Sequence, residues 1–411
     1  MKKIESLFYV SLGNLPSKLA SSIQVAKMSQ ALSTRVEHFE LVTSGDIISA
    51  IKGMDSEFQN WYALKNKFKL VRIPVHIKTK YPFQKNYSKR SYFKLAVLYA
   101  YLKSPSFVYT RSRKIVIPLL KLGIPVLWER HELLPETLPD DSSYLQILTS
   151  KNLLGFVTLS PQIAENYIGN GLDSEKVLIA HSGVDTSIYL PYLSKKVARE
   201  QLSLAEDAKI IVYGGHLYEY KGITTILNTA SEMPECKFIL VGGWQKDVDR
   251  VKEICIEKGL QNVDLVGHVP QTKLGIYLYA ADVLLLPTSS NWELAQTTSP
   301  LKLFEYMAVK RPIVASALPN IMTVLRDREN ALLAKPDDPL SFQGAIIELL
   351  ENPSFAEEIA ERAFEEVNKY TWENRAKIIL QFAEERFKKL HKSTAKKKEN
   401  ILKILKYIIS N

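Results

Sequence analysis

At 411 residues with 46% hydrophobic content, the chain is too long for one ordinary α/β core and suits two domains of similar size. No run of about 18 uninterrupted apolar residues occurs, Met1-Lys2-Lys3-Ile4-Glu5-Ser6 leads straight into a strand, and Cys236 and Cys255 lack metal-ligand spacing. These features predict a cytoplasmic, non-spanning protein without zinc, disulfide or thiol chemistry. The net charge of +10 gathers between Lys52 and Lys94, where Asp55 and Glu57 are the only acids, and in the tail from Arg386. A basic face of this kind is either solvated charge or suited to an anionic membrane or a phosphate-bearing substrate. Zinc-finger spacing, an aromatic ribonucleoprotein motif and a heptad after a basic region are all missing, so nucleic acid is not an expected partner.

Taken in chain order, the first half alternates strand and helix: strand Leu7 to Ser11, helix Ser17 to Leu32, strand Phe39 to Thr43. Helix Tyr92 to Leu102, strand Phe107 to Thr110, helix Lys114 to Leu122 and strands Val126 to Trp128 and Gly155 to Leu159 continue the rhythm, which predicts a doubly wound parallel sheet. Leu190 to Ala205 carries no strand. The pattern then restarts with strands at Lys209 to Tyr213, Lys237 to Val241, Val263 to Val266, Val283 to Leu286 and Ile313 to Ala315. The predicted domains are 1–195 and 196–370, followed by a helix over 371–390 that returns to the first domain and a basic amphipathic tail over 391–411. Two such halves make a cleft, where ligands are expected.

Two segments place charge where a fold alone does not require it. Val212 to Gly222 is a strand followed by Gly214-Gly215 and then Lys221 at a helix entry. Glycines admit a close anion, and a lysine at a helix start adds charge, so this is a phosphate-site candidate as well as a plain turn. Ser299 to Ala308 follows an apolar strand and a polar loop, with Ser299 read as the N-cap and Pro300 as the first helical residue. Lys302 and Glu305 lie on one face there, as a surface ion pair or as ligand-binding groups at a strand-loop-helix junction.

Together these motifs resemble the GT-B fold glycosyltransferases of family 4 (group 1), retaining nucleotide-sugar enzymes, over most of the chain. The resemblance implies an α/β architecture of two Rossmann-like doubly wound domains facing across a cleft, with the acceptor in the first and the donor in the second. The family's strand-Gly-x-Leu-x-x-x-Lys-Gly segment corresponds to Gly215, Leu217, Lys221 and Gly222, with His216 where the family has arginine. A neutral imidazole does not reproduce a guanidinium fork. In the family's Glu-x7-Glu motif Glu305 takes the second place, which implies ribose hydroxyl binding, and Thr297 takes the first, as a donor-sugar contact. Thr298, Ser299 and Leu301 are implied around the distal phosphate, and Gly267 and Val269 at the nucleobase.

In the first domain His131, just past a strand end, is implied to contact the transferred sugar or the acceptor. The turn at Gly13, Asn14 and Lys18 stands in for the family's acceptor or phosphate loop. The implied catalytic set is His131, Lys221 and Glu305, with no metal and no cofactor beyond the nucleotide-sugar co-substrate, a UDP-sugar in preference to a GDP-sugar. The implied partners are a saccharide or lipid-linked acceptor in polysaccharide or glycolipid synthesis, and an anionic membrane surface at the inner face. A non-catalytic nucleotide-sugar sensor or assembly subunit and a GT-B epimerase are the alternatives. The tail groups Ile401, Leu405 and Ile408 on one helical face among lysines, a pattern that lies on a membrane, packs on the protein or frays.

Overall fold

A computed structural model describes residues 4–17, 19–76, 89–135 and 143–393. The chain divides into two compact units, Met1–His181 with Trp372–Asn411, and Ser182–Thr371. The expected boundaries at 195 and 370 therefore move to 181 and 371. The shift has a local cause: Ser182 exchanges hydrogen bonds with Ser299, NH to Oγ at 2.9 Å and Oγ to carbonyl at 2.8 Å, and Val184 bridges to Thr371. These contacts tie the segment ahead of residue 195 into the second unit.

The first unit holds a seven-stranded parallel sheet made of β1 (Ser6–Asn14), β2 (His38–Asp46), β3 (Lys69–His76), β4 (Phe107–Thr110), β5 (Val126–Arg130), β6 (Leu153–Thr158) and β7 (Val177–Ile179). Its order is β3-β2-β1-β4-β5-β6-β7. The central strands β4 and β6 are buried along their whole length, as strands covered on both faces by helices must be. Trp128, Phe156 and Tyr167 interlock on one face, with Trp128 edge-on to Phe156 at 5.6 Å. The helix Trp372–Ser393 completes this unit. A Cβ at Gly155 on β6 would meet the Phe382 ring, so a bare backbone is what lets that helix sit down.

The second unit holds a six-stranded parallel sheet: β8 (Lys209–Gly214), β9 (Cys236–Val241), β10 (Val263–Gly267), β11 (Val283–Leu286), β12 (Ile313–Ser316) and β13 (Leu332–Ala334). The order is β10-β9-β8-β11-β12-β13. Ile210 and Val212 pack on one face and Ile211 and Tyr213 on the other, which is why the strand reads as one apolar run instead of an alternation. Both sheets are doubly wound, with chain reversals between β1 and β4 and between β8 and β11, so the expected pair of Rossmann-like folds is what forms. Among the described residues no helix is long and apolar enough to cross a membrane. Lys18 and the tail from residue 394 lie outside the described residues.

Candidate functional site

In the second unit, the carboxyl ends of β8 and β11 flank the switch point. The β8 end is locked by the buried Tyr306 hydroxyl, which accepts from the Gly214 amide at 2.8 Å. Gly215 follows at φ 144°, and a Cβ there would come within 3.0 Å of the Lys302 Nζ. Gly222, at φ 80°, would place a Cβ 1.6 Å from the Pro287 carbonyl oxygen at the end of β11. Only glycine permits that approach, so the turn carrying Lys221 is pinned against the neighbouring strand.

Two lysines converge on this turn. The half-buried Lys302 ammonium lies 3.8 Å from the centre of the Tyr213 ring. Burial and the Lys221 charge push its pKa well below the ordinary lysine range, against the opposing pull of Glu305. Lys221 Nζ stands 4.1 Å over Trp292 and 5.1 Å over Tyr220, and burial brings its pKa down to about 8. Each is held by aromatic faces, which attract a cation without neutralising it. Burial raises the carboxyl pKa of Glu305, on the same helix as Lys302, while Gln271 donates to its Oε1 at 3.0 Å. The surface ion pair is thus replaced by a sheltered site of two cations and an acceptor.

His216 is neutral here: burial, then the Lys302 and Lys221 charges, depress its pKa, and its buried Nδ1 has no hydrogen-bond partner. Its ring stacks on Tyr218 at 5.0 Å and on Trp244 at 5.6 Å. Tyr218 leans on Tyr220 and Tyr220 stacks on Trp292 at 4.6 Å, so a continuous row of rings runs beside the lysines. Trp244, 38% exposed, is held in place by its indole N–H donating to the Tyr218 hydroxyl. Gly267 closes the neighbouring turn, its carbonyl accepting from the Gly242 amide at 2.8 Å, and Val269 follows it, half-buried.

One local expectation is corrected. The helix starts at Leu301, and its N-cap is Pro300, in an extended conformation; Ser299 is not the cap because its Oγ accepts from the Ser182 amide. Thr298 offers its carbonyl to the Asn320 amide, and the buried Thr297 hydroxyl turns to the Leu294 carbonyl. The structure therefore gathers Gly215, His216, Lys221 and Glu305, and it adds Lys302, Tyr220 and Trp292. The sequence signal for Lys302 was its place three residues ahead of Glu305, which a surface pair would share.

In the first unit, Gly13 and Asn14 end β1. His131 follows β5, and its two ring nitrogens are both engaged. The Arg111 guanidinium, which can only donate, lies 2.7 Å from Nδ1, so the proton resides on Nε2 and is donated to Glu129. Burial and the Arg111 charge hold the imidazole pKa down at about 4. Burial alone would raise the Glu129 carboxyl, but Arg375 and then His131 keep it below the usual range. Arg375 donates to Glu129 at 3.1 Å and to the His181 carbonyl at 2.8 Å. Arg111 also lines a cavity of ≈ 190 Å³ with Tyr9, Leu12, Ser21 and Ser22, at the β1/β4 switch point. A further cavity of ≈ 590 Å³ opens at the opposite, amino-terminal edge of the second sheet beside Asp282 and Arg311, and shares no residue with the lysine site.

Comparison with known proteins bears on the second unit first. Residues 194–366 match the family described as Glycosyl transferases group 1. D-inositol 3-phosphate glycosyltransferase of Nocardioides sp. is 26% identical over 227 residues, 51% of this chain and 48% of that protein. Alpha-galactosylglucosyldiacylglycerol synthase of Streptococcus pneumoniae is 24% identical over 235 residues, 56% of this chain and 60% of that protein. The chain spans about half the length of the curated relatives it matches. Among solved structures, sucrose-phosphate synthase from Thermosynechococcus elongatus superposes with a TM-score of 0.72 at 20% identity, over 95% of this chain and 100% of that one. Anabaena Alr3699/HepE in complex with UDP gives 0.70 at 14% identity, over 92% and 98%. These likenesses extend the fold assignment over both units.

Proposed function

We propose that the chain, whose residues 194–366 match the family described as Glycosyl transferases group 1, moves a sugar from a nucleoside-diphosphate sugar to a hydroxyl of a saccharide or lipid-linked acceptor, with retention at the anomeric carbon. The observation that carries the reading is the pair Lys221 and Lys302, two mutually repelling cations held on aromatic faces beside a glycine turn at the switch point. Desolvated like charges raise the energy of the empty protein, and a diphosphate relieves that cost. As the bond from the anomeric carbon to the diphosphate breaks, the leaving oxygen gains charge, which these cations stabilise. The acceptor oxygen takes the anomeric carbon, and its proton balances the charge on the departing diphosphate.

Lys302 then supplies the second cation that His216 does not. Glu305, oriented by Gln271, accepts from the ribose hydroxyls, and the turns at Gly267 and Val269 present backbone to the base. His131, with both nitrogens engaged, acts as a positioning residue that fixes Arg111 at the cavity of the first unit, where the acceptor is placed. UDP is the proposed nucleotide, since Anabaena Alr3699/HepE, a likeness in fold alone, is seen with UDP.

The test is transfer by the full chain from UDP-sugars to a panel of saccharide and glycolipid acceptors, read as acceptor-dependent UDP release and as the anomeric configuration of the product. Lys221→Ala and Glu305→Ala are expected to lower kcat/KM by about 10–100-fold or more each, with unfolding midpoints retained. Near-normal transfer by either variant would overturn the assignment.

A further inference from the structure

The loop 287–300 joins β11 to the helix Leu301–Met307, and it carries Trp292, the ring over which Lys221 stands. Its start is tied to the glycine turn by backbone, the Ser289 amide donating to the Tyr220 carbonyl at 3.2 Å. Its end is tied through Ser299 to Ser182 and through the Thr298 carbonyl to Asn320. The stretch between them that leads into Trp292 is held from elsewhere in the unit, by Asp337, which follows β13. One carboxylate oxygen of Asp337 accepts from the Ser290 amide at 2.8 Å and from the Ser290 hydroxyl at 2.6 Å. Next to it the Ser289 hydroxyl accepts from the Asn291 amide at 3.2 Å, which stiffens the approach to the ring.

Asp337 holds this position in a strained conformation. Its φ of 59° lies in the left-handed region, which glycine adopts freely and which Asp and Asn tolerate best among the others. A turn alone would be better served by glycine, so what the aspartate adds is its carboxylate. Partial burial would raise the carboxyl pKa, but the Ser290 and Ser289 hydroxyls and the Ser290 amide hold it below the usual range, so it is an ionised and strong acceptor. Burial is what depresses the Lys221 pKa, with no carboxylate opposing it, so Asp337 reaches that lysine by placing a ring and not by charge.

We propose that Asp337 is a positioning residue of the lysine site: by fixing Ser290 it holds Trp292 against Tyr220 and so presents Lys221 to a diphosphate. The proposal rests on the reading of Lys221 as a phosphate contact. A lysine stem has many rotamers, and a fixed aromatic face keeps its ammonium ordered before the ligand arrives. With the clamp released, the ring and the ammonium have to be ordered at each binding event.

Full-length wild type is compared with Asp337→Gly, Asp337→Asn, Trp292→Ala and the double variant Asp337→Gly, Trp292→Ala. Glycine suits the backbone at position 337, so Asp337→Gly removes the carboxylate and should keep its unfolding midpoint. By calorimetry, UDP affinity should weaken about five- to tenfold in Asp337→Gly and in Trp292→Ala, and the double variant should be within about twofold of Trp292→Ala alone. Asp337→Asn keeps an oxygen acceptor and should retain most of the wild-type affinity. Hydroxyl-radical footprinting reads the ring without nucleotide: oxidation at Trp292 should rise at least about threefold in Asp337→Gly, while the fully buried Trp128 stays constant. Unchanged oxidation at Trp292 overturns the proposal, as do affinity losses that multiply in the double variant. If wild type binds no UDP, the phosphate reading of the site fails, and the footprint then decides the clamp by itself: a rise at Trp292 supports it and no rise overturns it.

Discussion

An ammonium over an aromatic face keeps its charge at a lower desolvation cost than one in hydrocarbon, and Lys302 sits 3.8 Å from the Tyr213 ring centre in that way. If Lys302 stands in for the cation missing at His216, the two positions are interchangeable in part. Lys302→Ala should weaken UDP binding about 10–100-fold by calorimetry, and adding His216→Arg should recover part of the loss. A double variant no better than Lys302→Ala alone would separate the two positions. Lys221 adds a pH signature. Its pKa is about 8 in the folded protein, against a higher value when unfolded, so the folded state holds fewer protons between those values. A bound diphosphate favours the protonated amine, so UDP affinity should fall as pH rises through about 8, while stability of the free protein rises over the same interval. A Kd flat from pH 7 to 9.5 would remove Lys221 from the phosphate site.

At the scale of elements, the strands missing from the sequence reading share a cause. Lys69–His76, Val177–Ile179 and Leu332–Ala334 are all edge strands. Edge strands are short or broken by charge and proline, as Lys69, Arg72 and Pro74 break β3, because an apolar edge invites pairing with other chains. The central strands, buried on both faces, were legible from their apolar runs. The lysine site was legible in part: Gly215, Lys221 and Glu305 lie in local motifs, but the approach of Lys302 and Trp292 depends on which strands are neighbours, which no local pattern encodes. The C-terminal helix is joined to the first sheet by a charge that periodicity does not reveal, Arg375 against Glu129, both 3% exposed in their side chains. Arg375→Ala leaves that carboxylate buried without its cation and should cost about 3–5 kcal/mol. Chemical denaturation should show it, and the double change with Glu129→Gln should recover part of the loss. A single-variant loss under about 1 kcal/mol would mean water enters to solvate Glu129.

At the scale of the whole molecule, the chain enters the second unit after His181 and leaves it after Thr371, so the first unit is built from the two ends of the sequence. During synthesis, residues 182–371 are complete and able to fold before the helix Trp372–Ser393 has been made. The first sheet meanwhile lacks the ring that covers Gly155 and the guanidinium that pairs with Glu129. Order of emergence therefore runs opposite to order of sequence: the second unit matures first, and the unit that starts the chain is the last to close.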